Sequence, residues 1–373
     1  MKVAVFSDTY EPQVNGVVNC INMLNNEFRK DGIETMIVAP TGTGNKFTSL
    51  TLPFYKEFEV APLPYHKSLK LLKGFKPDII HSHTQFNMGV AALMARKVLK
   101  VPVVTTFHTL IPDYFGYYFF ESEVVKELLW KYFVKYFKHC DAITTPNQEI
   151  KDEIRKRLNR EVYLIRNGVD VNKFHPKRRS RIYESYGIKD EKVVLHVGRL
   201  SKERSLDELI EAFKDILNER DDVRLVIVGR GPAERKLKRM ARGYRDKIIF
   251  TGFVSDEVLP QIYASAYLFV TPSKTDVYPL ALLEAYASGL PVVGSEMGGV
   301  GHLINKKTGF KFSSTGEMKE RIIHLLDDEN VRKKLSGNAR KFAETKSWEH
   351  VSKEFVDLYE RTIEGFNESQ YIQ

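Results

Sequence analysis

Two successive doubly wound α/β domains are what this chain of 373 residues predicts. Three observations carry the prediction. Short apolar runs alternate with helical periodicity, the mark of parallel strands joined by crossover helices. The alternation occurs twice, with a turn-rich, basic segment between the two series. The length also exceeds what one comfortable core accommodates.

The first series of strands reads KVAVFS, ETMIVAP, DIIHSH, VPVVTTF, AITTP and EVYLIRN; the second reads KVVLHVG, VRLVIVG, KIIFTG, YLFVTP and LPVVGS. Between them, NGVDVNKFHPKRRS (167–180) carries turn residues, a proline and a basic cluster, which mark it as an interdomain linker. Near the end, Trp348, Val351, Phe355, Leu358 and Tyr359 follow helical spacing. The expected division is 1–170, 171–345 and a closing helix over 346–373.

The second domain is organised around residues 268–299. An apolar strand, Leu268 to Thr271, is closed by Pro272 and Ser273 and followed by a polar loop. Pro279 suits the first turn of a helix, and Gly289 suits the position just past its end. This β-loop-α-β unit points its loop and helix mouth to the crevice where open α/β sheets bind ligands. Asp276 stands before the helix and Glu284 inside it. Helix rise and loop reach together span a nucleoside-diphosphate sugar, with first-turn amides available to phosphate. On these two features alone, a solvated helix acid and a loop-capping aspartate are the favoured reading.

Composition narrows the class. A hydrophobic share of 43% with 28% charged residues is that of a globular protein. No run approaches a membrane span, and MKVAVFSD reads as a first strand, not a leader. Two cysteines, Cys20 and Cys140, make neither a disulfide framework nor a zinc motif, so a reducing cytoplasm is expected. Residues 1–180 hold 26 Lys+Arg against 18 Asp+Glu, a net +8 of the chain's +9. Such asymmetry points to an anionic partner, and no nucleic-acid motif accompanies it.

Further candidates follow in chain order. SDTYEPQVNGVV (7–18) places Asn15-Gly16 in a tight turn before a helix, an anion-facing loop or a plain turn. His81 and His83 sit at one strand end and His108 at another; each is a ligand contact or a bonded core histidine. Residues 114–140 mix aromatics (Tyr117, Tyr118, Phe119, Phe120, Trp130, Tyr132, Phe133, Tyr136, Phe137) with Lys126, Lys131, Lys135 and Lys138. A basic, aromatic amphipathic segment lies in a membrane interface or buries its rings in its own domain. HKSLKLLKGFK (66–76) is a shorter basic piece. In VGRLSKERSLDE, Ser205 and Glu208 form an S-x-x-E capping box, with Arg199 and Arg204 beside the helix mouth, suited to a diphosphate. Gly229 and Gly231 precede Pro232 without a full G-x-G-x-x-G, which argues against a dehydrogenase.

D-x7-E followed by AYASGLPVV resembles the E-x7-E signature of retaining GT-B glycosyltransferases of family 4, with Asp in place of the first Glu. GRLSKERS resembles that family's G-R-L-x-x-E-K-S, with Arg204 for Lys, and TGFV resembles its base-reading turn. FSDTYEPQVNGV and DIIHSHTQFNMG resemble glycolipid synthases within it, notably those that glucosylate diacylglycerol. The resemblance covers nearly the whole chain and implies two Rossmann-like domains facing a central cleft, with a closing helix crossing back to the first.

It further implies a nucleotide-sugar hexosyltransferase that retains anomeric configuration by front-face attack. Asp276 and His108 serve at the transferred sugar, Glu284 at the ribose, and Arg199 and Arg204 at the leaving diphosphate. Gly16, Val17, Leu280 and Ala281 lie near the donor, Val254 at its base. Asp8 and Tyr10 face the acceptor; Trp130, Lys131 and Lys135 face an anionic membrane. No D-x-D motif is present, so positive side chains and amides replace a bridging metal and no cofactor is expected. UDP-glucose is the expected donor, ahead of GDP-mannose. A lipid acceptor on the cytoplasmic membrane face is expected, with a soluble sugar or polyol as the alternative; neither nucleic acid nor an obligate protein partner is. A hydrolase would need Asp276 and Glu284 to flank one bond, and a basic binding module would bind vesicles or nucleic acid without turnover.

Overall fold

The computed structural model describes residues 1–13, 15–43, 47–52, 55–108 and 123–371. The chain forms two compact units. One comprises residues 1–167 with 348–373, and the other residues 168–347.

In the first unit, a six-stranded parallel sheet runs β2-β1-β5-β6-β7-β8. Its strands are β1 (Lys2–Phe6), β2 (Glu34–Val38), β5 (Ile79–Ser82), β6 (Val103–Thr106), β7 (Ala142–Thr145) and the short β8 (Tyr163–Leu164). An antiparallel pair, β3 (Leu50–Leu52) and β4 (Tyr55–Val60), stands apart and was not foreseen from the sequence. The crossovers are α1 (Gly16–Lys30), α2 (Tyr65–Phe75), α3 (Asn87–Leu99), α4 (Glu123–Phe137) and α5 (Gln148–Leu158). Helix α1 forms because Val18, Ile21, Leu24 and Phe28 make one apolar stripe, all buried, and Asn15 caps its first turn.

The second unit repeats the plan in the order β11-β10-β9-β12-β13-β14. These strands are β9 (Lys192–Val197), β10 (Val223–Val228), β11 (Ile248–Gly252), β12 (Leu268–Thr271), β13 (Val292–Ser295) and β14 (Gly309–Phe312). Around them lie α6 (Leu206–Glu219), α7 (Glu234–Met240), α8 (Leu259–Ser265), α9 (Leu280–Ala287), α10 (Gly298–Leu303), α11 (Thr315–Asp327) and α12 (Glu329–Glu344). Both sheet faces are covered, which is why the central strands read as unbroken apolar runs.

The last helix, α13 (Trp348–Tyr371), belongs to the first unit. It buries Trp348, Val351, Phe355, Leu358 and Tyr359, and the Tyr359 ring lies 5.9 Å from Phe28 of α1. The segment read as a linker is tied into the second unit. Val169 and Phe174 are buried, and Arg340 Nη1 donates to the carbonyls of Val171 and Phe174, each at 3.0 Å. Two six-stranded parallel sheets flanked by helices make the two doubly wound α/β domains expected from the sequence.

Each sheet has one point where strand order reverses: between β1 and β5 in the first unit, and between β9 and β12 in the second. Loops beyond the carboxyl ends of those strands form the ligand crevice of an open α/β sheet. The two switch points therefore define where chemistry is to be sought.

Candidate active site

At the second unit's switch point, the loop after β9 carries Arg199 and Arg204, and the loop after β12 carries Asp276. The Arg204 guanidinium is ion-paired with the Asp276 carboxylate, both partly buried. A second pair runs alongside it, from Lys274 Nζ in the loop after β12 to Glu208 Oε1 in the first turn of α6, at 2.5 Å. The capping box expected from Ser205 and Glu208 does not form. Ser205 adopts a left-handed conformation (φ 50°) without a side-chain cap bond, and Glu208 is held by Lys274. The short 3₁₀ turn Lys202–Arg204 immediately precedes Ser205 and ends on Arg204, which pairs with Asp276.

Asp276 is fixed from behind as well. The Gly299 amide donates to the Asp276 carbonyl at 2.6 Å, and a Cβ on Gly299 would collide with the Val277 carbonyl. Only glycine lets the first turn of α10 approach this loop so closely. Pro279 then precedes α9 without capping it by a side chain, so the first-turn amides, Leu280 and Ala281 among them, lie beyond any intrahelical acceptor.

Glu284 lies one turn into α9, partly buried, and accepts a 2.9 Å hydrogen bond from the Tyr263 hydroxyl. Burial raises its carboxyl to about 7; the Tyr263 bond and Lys173 oppose the rise. Phe253 is exposed, and Val254 is partly buried against the core beneath β11's loop. Two buried polar atoms at this switch point find no hydrogen-bond partner among the described residues, His196 Nε2 at the end of β9 and Ser273 Oγ just past β12. Because His196 Nδ1 bonds the Val270 carbonyl at 2.9 Å, that nitrogen carries the proton and Nε2 is an open acceptor. Unsatisfied buried atoms are rare and ask for a ligand or water.

At the first unit's switch point the residues are more fully engaged. Asp8 accepts from the Thr84 hydroxyl at 2.6 Å and the Met88 amide at 2.9 Å, so it caps α3. Tyr10 is buried and donates to Asn22 Oδ1 at 2.8 Å. The Val17 amide, next to Gly16 in the loop expected near the donor, donates to Asn15 Oδ1 at 3.0 Å as part of the α1 cap. At Gly16 an added Cβ would meet open space.

Three histidines lie together. His83 Nδ1 and His108 Nε2 share a 2.8 Å hydrogen bond, and the two rings stack at 5.1 Å. His81 is bonded on both nitrogens, to Thr106 Oγ1 at 2.7 Å and to the Tyr359 hydroxyl at 2.6 Å. It is a core histidine, tying α13 to the sheet. Burial pulls His108 down to about 4 and His83 well below its ordinary value, so both are neutral near pH 7. His108 is the more exposed of the two. The fold also brings Cys20 of α1 to them: one ligand atom from each of Cys20, His83 and His108 lies within 4.8 Å of the others. Sequence spacing hides this cluster, because three separate elements supply it.

Helix α4 divides its residues cleanly. Trp130, Phe133, Tyr136 and Phe137 are buried, whereas Val124, Glu127, Leu128, Lys131, Lys135 and Lys138 are exposed along one stripe. Trp130 is therefore corrected from a membrane-facing residue to a packing one. It lies 6.1 Å from the Phe107 ring, with the Arg157 guanidinium 4.8 Å above it. Tyr117, Tyr118, Phe119 and Phe120 lie outside the described residues. Among the described residues, no helix is long and apolar enough to cross a membrane.

The chain matches the family model described as Glycosyltransferase Family 4 over residues 14–173, and that described as Glycosyl transferases group 1 over 179–342. It is 30% identical to the alpha-monoglucosyldiacylglycerol synthase of Streptococcus pneumoniae, over 82% of this chain and 74% of that one. It is 27% identical to a GDP-mannose-dependent alpha-mannosyltransferase of Corynebacterium glutamicum, over 97% of this chain and 89% of the other. In fold it is similar to HepE of Anabaena, solved in complex with UDP-glucose: TM-score 0.79 at 19% identity, over 97% of this chain and all of that one. The chain belongs to glycosyltransferase family 4. It is a glycosyltransferase of the GT-B fold.

Proposed function

We propose that this enzyme transfers a hexose, glucose in the first instance, from a nucleoside-diphosphate sugar to a lipid acceptor at the cytoplasmic face of the membrane, with retention of configuration. The observation that carries the donor half is the switch point of the second unit. There a cation (Arg204), two carboxylates (Asp276, Glu284), uncapped helix amides and two unsatisfied buried atoms converge. Arg199, Arg204 and the amides of Leu280 and Ala281 take the diphosphate, Val254 lies at the base and Glu284 at the ribose. Asp276 holds hydroxyls of the transferred sugar. Arg204 holds Asp276 in place; bound donor inserts between them, its phosphate taking the guanidinium.

Chemistry follows a front-face course. The bond from the anomeric carbon to the diphosphate oxygen breaks as the acceptor oxygen bonds the same face, and the acceptor proton passes to the departing phosphate oxygen. Positive side chains and helix amides stabilise the charge that leaves. Neutral His108 offers a lone pair to the sugar as positive charge develops there. No metal or cofactor is required, so activity persists in chelator.

For the acceptor, support comes from the lipid named for the Streptococcus pneumoniae relative and from the basic stripe of α4. Lys131, Lys135 and Lys138 supply charge for an anionic surface, and Val124 and Leu128 supply exposed apolar area (70% and 59%). The protein then works as a peripheral enzyme without an obligate protein partner. A donor-by-acceptor screen tests this. Purified enzyme meets UDP-glucose, GDP-mannose and other nucleotide sugars with diacylglycerol vesicles or soluble sugars, and products are read by mass spectrometry and anomeric NMR. An α-glucosyl lipid is expected. A product formed only on soluble sugars or polyols would remove the lipid reading, and a β-linked product would remove retention.

A further inference from the structure

We propose that Cys20, His83 and His108 form a binding site for a borderline-soft divalent cation, zinc above all, and that zinc held there inhibits the enzyme. The geometry is the ground. One thiol and two imidazoles from three elements, α1 and the ends of β5 and β6, bring their ligand atoms within 4.8 Å of each other. With zinc–nitrogen bonds of about 2.0–2.1 Å and zinc–sulfur of about 2.3 Å, tetrahedral ligands sit about 3.3–3.6 Å apart. The His83 Nδ1 to His108 Nε2 distance of 2.8 Å opens by roughly half an ångström to reach that spacing.

The donor set suits the ion. Cysteine with two histidines is a borderline-soft ligand group that selects zinc over magnesium or calcium. Three protein ligands leave a fourth position open, as metal sites with an exchangeable ligand do. His81, its ring tilted against His83 at 4.0 Å between ring centres, is excluded as a ligand because Thr106 and Tyr359 occupy both its nitrogens. It backs the site without joining it.

Binding has a definite proton balance. The metal–sulfur bond forms as the Cys20 thiol gives one proton to solvent. His83 then binds through Nδ1 and His108 through Nε2, and each keeps its single proton on the other ring nitrogen. The proton now shared between the two rings moves to the far side of one of them. Zinc consequently removes the His108 lone pair from the sugar. The inhibitory half rests on the role assigned to His108 above; the site itself does not.

Cobalt serves as the spectroscopic probe. Full-length protein is stripped with chelator and titrated with Co²⁺, and zinc is then added in competition. One cobalt per chain is expected, with a thiolate-to-cobalt charge-transfer band that zinc abolishes. Cys20→Ser should lose the band and weaken binding at least ~10-fold, a ligand costing no less than the outer-shell partners it outranks. Cys140 remains in that variant as an internal control. His83→Gln should weaken binding while keeping the band at saturating cobalt, and it serves if the serine variant does not fold.

No charge-transfer band in the wild type, or one unchanged in both variants, would overturn the site. In transfer assays, zinc should inhibit the wild type and spare Cys20→Ser, each normalised to its own metal-free rate. Cobalt bound with full activity retained would overturn the inhibitory half. A protein that binds cobalt but transfers no sugar would fault the functional reading and leave the site standing.

Discussion

Glu284→Gln separates the electrostatics of the donor site from its chemistry. Burial raises the Glu284 carboxyl from 4.5 to about 7 in the folded protein. A carboxyl raised on folding contributes stability that is fully present below about 4.5 and lost as pH climbs through 7, because the folded state must ionise a group that prefers its proton. At 1.36 kcal/mol per pKa unit, the loss between pH 5 and pH 8 amounts to about 2.5 kcal/mol. Glutamine keeps an acceptor for the 2.9 Å bond from Tyr263 and removes the ionisation. The variant should therefore gain on the wild type as pH rises. At about 2–4 °C per kcal/mol for a unit of this size, the melting difference should widen by roughly 5–10 °C from pH 5 to pH 8. Paired thermal melts followed by circular dichroism measure it. A difference that stays flat across that range would refute the argument, because it would mean that Glu284 is ionised at ordinary cost.

At the switch point of the second unit, Asp276→Asn keeps the loop but loses the charge that Arg204 holds. Turnover at saturating donor should fall about 10²–10³-fold, and unchanged kcat in steady-state assays would remove Asp276 from the sugar. Gly299→Ala should lower kcat without touching substrate, since its Cβ meets the Val277 carbonyl and displaces the Asp276 loop; a normal rate would show that the loop tolerates the shift. On α4, Lys131→Ala with Lys135→Ala should weaken binding to anionic vesicles by about 2 kcal/mol, roughly 30-fold, read by flotation at low salt. Equal binding would place the membrane contact elsewhere. In the first unit, Tyr359→Phe leaves buried His81 Nδ1 without its 2.6 Å partner. Urea unfolding should show a loss of about 1–3 kcal/mol, and a neutral result would mean that water replaces the hydroxyl.

Much of this molecule was legible before folding, and for local reasons. Apolar runs spaced by helical periodicity report parallel strands wherever both sheet faces are covered. In the segment 268–299, a proline before the helix and a glycine after it mark boundaries through φ alone, and Gly289 does take a positive φ of 74°. Asp276, Arg199 and Arg204 could be named because each lies in a short stretch that joins a strand to a helix, and Glu284 because it falls one turn inside the helix that such a stretch opens.

Partnership was decided only in three dimensions. Ser205 and Glu208 have the spacing of a capping box, yet a left-handed turn and Lys274 from another loop outbid that local bond. Trp130 stands among lysines in sequence, but helical geometry turns the ring inward and the lysines outward. The Val17 amide is lost to Asn15, and Asp8 to the mouth of α3. Cys20, His83 and His108 are separated by 63 and 25 positions and share no motif; two strand ends and a helix bring them together. Sequence alone determines which residues can take up a role, because conformational preference acts over a few positions. Tertiary structure decides which of them meet, because hydrogen bonds, ion pairs and burial act through space across distant parts of the chain.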